Sequence, residues 1–279
     1  MNREEELKSS ASATEVWGSG EGGKVDVAVV TVMVMSGWDE DGVIKSMGSG
    51  FVVDAAKGLI VSAAHVVFDR RSRMCLVGGG GAIVIGVINH ERKAVWKYVA
   101  HVVKEQVGGK GEEFFDVCVL KIGERLTGNG GGGNGGGGFG SFEDMKSLGL
   151  TTTVAEGELV GELAEMKLWG GGDVDIFSPV WLLGFPQVGG AEEVNVFLTS
   201  FVGSVRAMSE GVLQLNVENH SGNSGGPVLL RNKNTVVGVL SKGENDDMTA
   251  WAVPVDRWRW MVDEARDGRS AWEKIMGTH

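Results

Sequence analysis

The chain has 279 residues, of which 42% are hydrophobic and 23% charged, and its formal net charge is −11 at pH 7. Such proportions describe a globular protein with two modest cores or one large one, and exclude collagen, coiled coil and disulfide scaffold. The acidic balance, with no compensating basic stripe, sets an unfavourable field for a phosphate backbone, so nucleic acid is not an expected partner.

No stretch approaches the ~20 consecutive apolar residues of a membrane span, so no membrane partner is expected. The start, MNREEELKSS, carries charges of both signs and leads into no apolar core of the kind a secretory signal needs. A cytoplasmic chain is the expectation, and there Cys75 and Cys118 stay reduced. The five histidines (His65, His90, His101, His220 and His279) include no pair at i, i+4. Neither a metal nor a cofactor is expected.

Residues 1–24 are polar and end in GSGEGGK, which buries too little surface to offset its ordering entropy and reads as a mobile arm. Short runs rich in valine and isoleucine follow: VDVAVVTVMVM, GSGFVVD, GLIVSAAHVV, CLVGGGGAIVIGVINH, a segment around Val95 to Val103, and FFDVCVLKIG. Each is closed by glycine or charged residues, as strands joined by turns are. Six or so such strands predict a barrel or sandwich.

Between Gly128 and Gly140 the sequence is GNGGGGNGGGGFG, a low-complexity insertion or interdomain linker. SFEDMKSLGL and GELVGELAEMKLW then show helical spacing, with Leu159, Val160, Leu163 and Met166 on one predicted face. A second strand series runs through PVWLLGFP, VNVFLTSFVGSVRAM, GVLQLNVE, GGPVLL, TVVGVLSKG and TAWAVPV. The closing DRWRWMVDEARDG predicts a helix with Asp256 as N-cap and Trp258, Met261, Val262 and Ala265 as its docking stripe.

Three segments hold candidate chemistry. GNSGGP, Gly222 to Pro227, sets Ser224 in a tight turn between strands. There a hydroxyl can project at a sharp bend, and the amides of Gly222 and Ser224 can converge on a developing oxyanion. Glycines at 222 and 225 allow the backbone conformations such a bend requires, although an ordinary hairpin turn would use the same residues. SAAHVV ends two strands at His65, which a structural role would also accommodate. Asp116 opens the apolar run DVCVLKI; buried there it needs a partner such as a histidine N–H, and on an edge strand it would simply face water.

The order His65, Asp116, Ser224, with the motifs GSGFVVD, SAAHVV, DVCVLKI, GNSGGP and AVPV, resembles the chymotrypsin-like (trypsin-like) serine peptidases from about Asp26 to Trp260. The closest resemblance is to their HtrA-like intracellular and bacterial branch. It implies an all-β fold of two six-stranded antiparallel barrels with a C-terminal α-helix. The implied units are an N-terminal arm (1–24), a first barrel (25–127), an insertion and linker (128–175), a second barrel (176–255) and a helical tail (256–279).

The same resemblance implies a serine endopeptidase with His65, Asp116 and Ser224 as catalytic triad and Gly222 and Ser224 as oxyanion hole. Ser241 should face Asp116, and the backbone from Ser241 to Gly243 should pair with the substrate peptide as an added strand. Lys242 replaces an aromatic common in secreted members. Glu218 falls where digestive trypsins keep the carboxylate that selects Lys or Arg, whereas HtrA-like relatives have an apolar pocket; His220 lines that pocket or braces its loop. Asn223 replaces the aspartate that pairs with a new N-terminus in secreted members, so no such ion pair is expected. With only some 20 residues after Val255 in this chain, no PDZ domain is expected, and a monomer acting on peptide or protein substrates is. A catalytically inactive domain using the same cleft to bind peptides is the alternative.

Overall fold

A computed structural model describes residues 28–35, 44–77, 81–89, 94–107, 115–126, 150–153, 163–172, 174–186, 197–209, 211–231, 233–243 and 248–268. The N-terminal arm, the glycine-rich insertion, His90 and His279 lie outside the described residues.

The valine-rich runs of the first half form β1 (Val29–Met35), β2 (Ile44–Asp54), β3 (Leu59–Ser62), β4 (Ala82–Ile88), β5 (Ala94–Val107) and β6 (Asp116–Leu126). They pair antiparallel in the order β3-β2-β1-β4-β5-β6, and pairing of β3 with β6 closes the barrel. A short strand β7 (Leu150–Thr153) adds to β6 outside that closure. The second half forms β8 (Pro179–Gly184), β9 (Thr199–Ser209), β10 (Val212–Asn216), β11 (Pro227–Leu230), β12 (Thr235–Gly243) and β13 (Thr249–Pro254). These close as a six-stranded barrel in the order β10-β13-β12-β11-β8-β9. Closure gives each barrel strand two hydrogen-bonded neighbours, and β-branched residues fill both interiors, including Val32, Val52 and Ile85 in the first and Val205, Val228 and Val237 in the second.

A third apolar cluster lies between the barrels. It joins Phe51, Val53 and Val61 of the first barrel to Leu183, Phe185 and Val239 of the second. Helix α2 (Val255–Asp267) closes this cluster with Trp258, Met261 and Val262, all fully buried, while Ala265 packs at its rim. Trp258 meets Phe51 edge to face at 6.1 Å and donates its indole N–H to Val253 O at 3.1 Å. Farther along, Arg266 pairs with Asp54 of β2 at 3.1 Å and Glu264 with Lys104 of β5 at 3.2 Å. The helix therefore leaves the second barrel and clamps onto the first.

Two local expectations are corrected. The N-cap of α2 is Pro254 rather than Asp256, which instead lies in the first turn, where a carboxylate favours the helix dipole. Residues 163–168, expected to continue a helix, form no helix and are irregular apart from a bridge between Leu168 and Val236. Met166 N–H bonds Val52 O, and Val236 N–H bonds Lys167 O, so this segment is stitched to one strand of each barrel. Leu163, Met166 and Leu168 are buried there, and those tertiary partners override a helical spacing. Of the rest of the expected mid-chain helical segments, residues 141–149 and 157–162 lie outside the described residues, and Leu150, the last residue of SFEDMKSLGL, opens strand β7 instead.

Candidate active site

The segment SAAHVV leaves β3 at Ser62 and enters a single helical turn, α1 (Ala64–Val67), which carries His65 on the barrel rim. Asp116 is the first residue of β6, and the carboxylate is turned inward, with the residue only 6% exposed. Its Oδ1 accepts the backbone N–H of His65 at 2.8 Å, and its Oδ2 lies 2.5 Å from His65 Nδ1. Water-facing placement on an edge strand does not occur.

A third bond reaches the same carboxylate from the other barrel. Ser241 Oγ donates to Asp116 Oδ2 at 2.7 Å. Ser241 is the extra residue of a bulge in β12, between Leu240 paired with Ala252 and Lys242 paired with Trp251. A bulge re-aims the side chain it carries, and here it turns the hydroxyl across the seam. Burial alone would push the Asp116 carboxyl up; the bonds and charge of His65 and the hydroxyl of Ser241 outweigh it and hold the group below the ordinary aspartate value. Asp116 in turn joins burial in pushing the neighbouring Cys118 thiol up, and Cys118 and Cys75 are both free thiols.

The Ser224 turn is built from glycines in left-handed backbone, with φ of 94° at Gly222 and 87° at Gly225. A Cβ on Gly225 would lie 2.1 Å from Ser49 O and 2.4 Å from Ser62 Oγ, so only glycine lets this turn reach the first barrel. Contact is made two residues before His65, against Ala63. Asn223 N–H bonds His220 O, Gly225 N–H bonds Leu240 O and Gly226 N–H bonds Asn223 O. Among the described residues the amides of Gly222 and Ser224 donate to no backbone acceptor. No hydrogen bond joins Ser224 Oγ to His65 among them either; bonds of this kind often tighten only once substrate is in place.

Ser49, in the middle of GSGF, is a site residue that the sequence alone does not single out. Fully buried, it donates its amide to Ser224 O at 2.7 Å and its hydroxyl to Gly222 O at 2.7 Å, while that hydroxyl accepts from Phe185 N–H at 2.9 Å. Ser62 Oγ bonds Ser49 O in support. Gly48 and Gly50 on either side leave little room for a Cβ, so the strand lies close against its neighbours at Ser49. Arg70 is likewise not marked by the sequence, and its guanidinium lies 3.4 Å from Asp116 Oδ2 and 3.3 Å from Ser241 O.

The remaining candidates lie around the same turn. Glu218 is exposed and bonds His220 Nε2 at 2.8 Å, and the His220 ring is 5.5 Å from that of Phe201. Asn219, between them, packs its amide against Gly243, where any Cβ would overlap it. Asn223 is wholly buried, and neither of its amide atoms has a hydrogen-bond partner. Lys242 is exposed, with Nζ 5.4 Å from the Trp251 ring centre. Among the described residues no group of three His, Cys, Asp or Glu side chains could hold a metal ion, and no helix is long and apolar enough to cross a membrane.

The family model described as a trypsin-like peptidase domain matches residues 48–239. The chain belongs to the trypsin-like peptidase family. Among solved structures it is similar to the serine endoprotease from Yersinia pestis, with a TM-score of 0.54 and 19% identity. That alignment covers 88% of this chain and 65% of the Yersinia chain, and at this identity the likeness is one of fold. Comparison with curated protein sequences gave no significant match.

Proposed function

We propose that this trypsin-like peptidase domain is an active serine endopeptidase of the HtrA-like kind. Ser224 Oγ attacks the scissile carbonyl while His65 Nε2 takes the hydroxyl proton. The C–N bond then breaks as His65 returns that proton to the leaving amine, and water releases the acyl group by the same steps in reverse order of partners. Asp116 fixes the proton on Nδ1, leaving Nε2 as the base, and stabilises the imidazolium that forms. Ser241 holds the carboxylate in that orientation. The amides of Gly222 and Ser224 receive the oxyanion, at about 3 kcal/mol per donor in comparable sites.

The observation that carries this reading is the buried Asp116, held by His65 from its own barrel and Ser241 from the other. A peptide-binding module has no use for an imidazole whose Nδ1 is held on a buried carboxylate. The test is cleavage of a proteome-derived peptide library by the intact chain and by Ser224→Ala. Cuts made by the first and missing with the second support the reading; equal products from both, or none from either, contradict it.

A further inference from the structure

β12 outruns its neighbour on one side. Its pairing with β11 ends at Val239, and the turn leading into β11 continues it only through Gly225 N–H to Leu240 O and Leu240 N–H to Gly226 O. On that side Ser241 O is met not by a strand but by a side chain, the Arg70 guanidinium at 3.3 Å. This contact and the one to Asp116 Oδ2 at 3.4 Å are long, and the Arg70 side chain is 54% exposed. The same Nη2 lies 3.0 Å from His65 Nδ1. With Nδ1 only 2.5 Å from the carboxylate, the proton lies between those two atoms, so Arg70 presents a donor to a donor. Its cation also faces an imidazole that must itself become positive during the reaction. Arg70 thus occupies a peptide-like acceptor through long bonds, beside an imidazole that opposes it and a carboxylate oxygen already shared with His65 and Ser241.

The surrounding loop is basic in a chain of net charge −11. Arg70, Arg71 and Arg73 are all exposed. Asp69 Oδ1 accepts the amides of Arg71 and Ser72, and Asp69 N–H bonds Met74 O, so the loop backbone beside Arg70 is ordered. A carboxylate beside the substrate bond that takes over Ser241 O would offer the displaced guanidinium a better partner than the one it leaves.

We propose that Arg70 is a specificity residue: an arriving peptide displaces it from Ser241 O, and it then pairs with an acidic side chain on the N-terminal side of the scissile bond. The inference rests on the proteolytic reading and adds a substrate class to it, acidic peptides.

The test uses three peptides that share one cleavage sequence and differ only in Glu, Gln or Lys at the residue before the cleaved one. The intact chain, Arg70→Ala and Arg70→Glu are compared by kcat/KM. The same peptides are titrated against chains carrying Ser224→Ala, with and without Arg70→Glu. The intact chain should favour Glu over Gln by about five-fold, the size of a partly exposed ion pair, and Lys should be poorest. Arg70→Ala should level the series and Arg70→Glu should invert it, in cleavage and in binding alike, and 0.5 M salt should shrink every difference. The same ranking in all three chains, or no preference for Glu in the intact one, overturns the proposal while leaving proteolysis intact. If no chain cleaves, the proteolytic reading fails by itself, and the titrations still decide whether Arg70 selects an acidic peptide; titrations without binding or without inversion overturn it.

Discussion

Ser49 Oγ donates to the carbonyl of Gly222 at 2.7 Å, so a side chain of the first barrel fixes the backbone of the turn that carries Ser224 in the second. The same oxygen accepts Phe185 N–H, and the Ser49 amide holds Ser224 O. Ser49→Ala therefore strands a buried acceptor and a buried donor without changing the shape of the site. The expected loss is about 2–4 kcal/mol of stability, read as a lower denaturant midpoint at constant slope. Cleavage should fall by more than the folded fraction does, because Gly222 is released; a variant as stable and active as the parent would refute the role.

Asp116 supplies a pH signature. Its carboxyl is held below the aspartate value of 3.8 by His65 and Ser241, despite burial. A group with a depressed folded value contributes stability that is fully present above the unfolded value and is lost as pH falls through the folded one. Asp116→Asn should therefore be less stable than the parent at neutral pH, and the gap should narrow as pH drops below 3.8. Ser241→Ala should weaken the hold and move the parent's acid loss to higher pH. Parallel stability curves for parent and Asp116→Asn across that range would contradict the assignment.

Gly225 tests the fit of the turn. Its φ of 87° and the 2.1 Å approach of an added Cβ to Ser49 O leave no tolerable position for alanine. Gly225→Ala should cost at least ~3 kcal/mol or displace the turn and abolish cleavage. Gly170, with nothing within 4 Å of an added Cβ, is the matched control, and Gly170→Ala should melt within a few degrees of the parent. Equal melting of the two variants would show that the turn is slack.

Trp258 tests the clamp. It is fully buried against Phe51 across the seam, and Trp258→Ala should cost ~3–5 kcal/mol. Because it anchors helix α2 to the first barrel, loss of its ring should also separate the two barrels' unfolding into distinct steps by hydrogen exchange. A single unchanged transition would mean that the barrels hold together without the helix.

The strands were legible because alternation and short valine-rich runs bounded by glycine report a local property, and the terminal helix because Trp258, Met261 and Val262 repeat at helical spacing. The same signal misled at Leu163 and Met166, whose spacing suits a helix, because the backbone of Met166 and Lys167 is taken by Val52 and Val236. Periodicity reads which residues are buried, not which distant backbone will claim them. His65, Asp116 and Ser224 stand out as polar residues in apolar or glycine-rich settings, and Ser241 is reached through the family resemblance. Ser49 and Arg70 do not stand out, because their importance lies wholly in partners from remote parts of the chain. Glu218 shows the converse: its position in the sequence suggested the floor of a pocket, and its side chain is 58% exposed on His220.

The most direct measurement is mass spectrometry of the intact chain after treatment with a fluorophosphonate, which loses fluoride to a serine oxygen that a base can deprotonate far faster than to an ordinary hydroxyl. One adduct on Ser224 is expected, absent in Ser224→Ala and strongly slowed in His65→Ala. An unmodified but folded chain, or an adduct elsewhere that persists in both variants, would contradict the account.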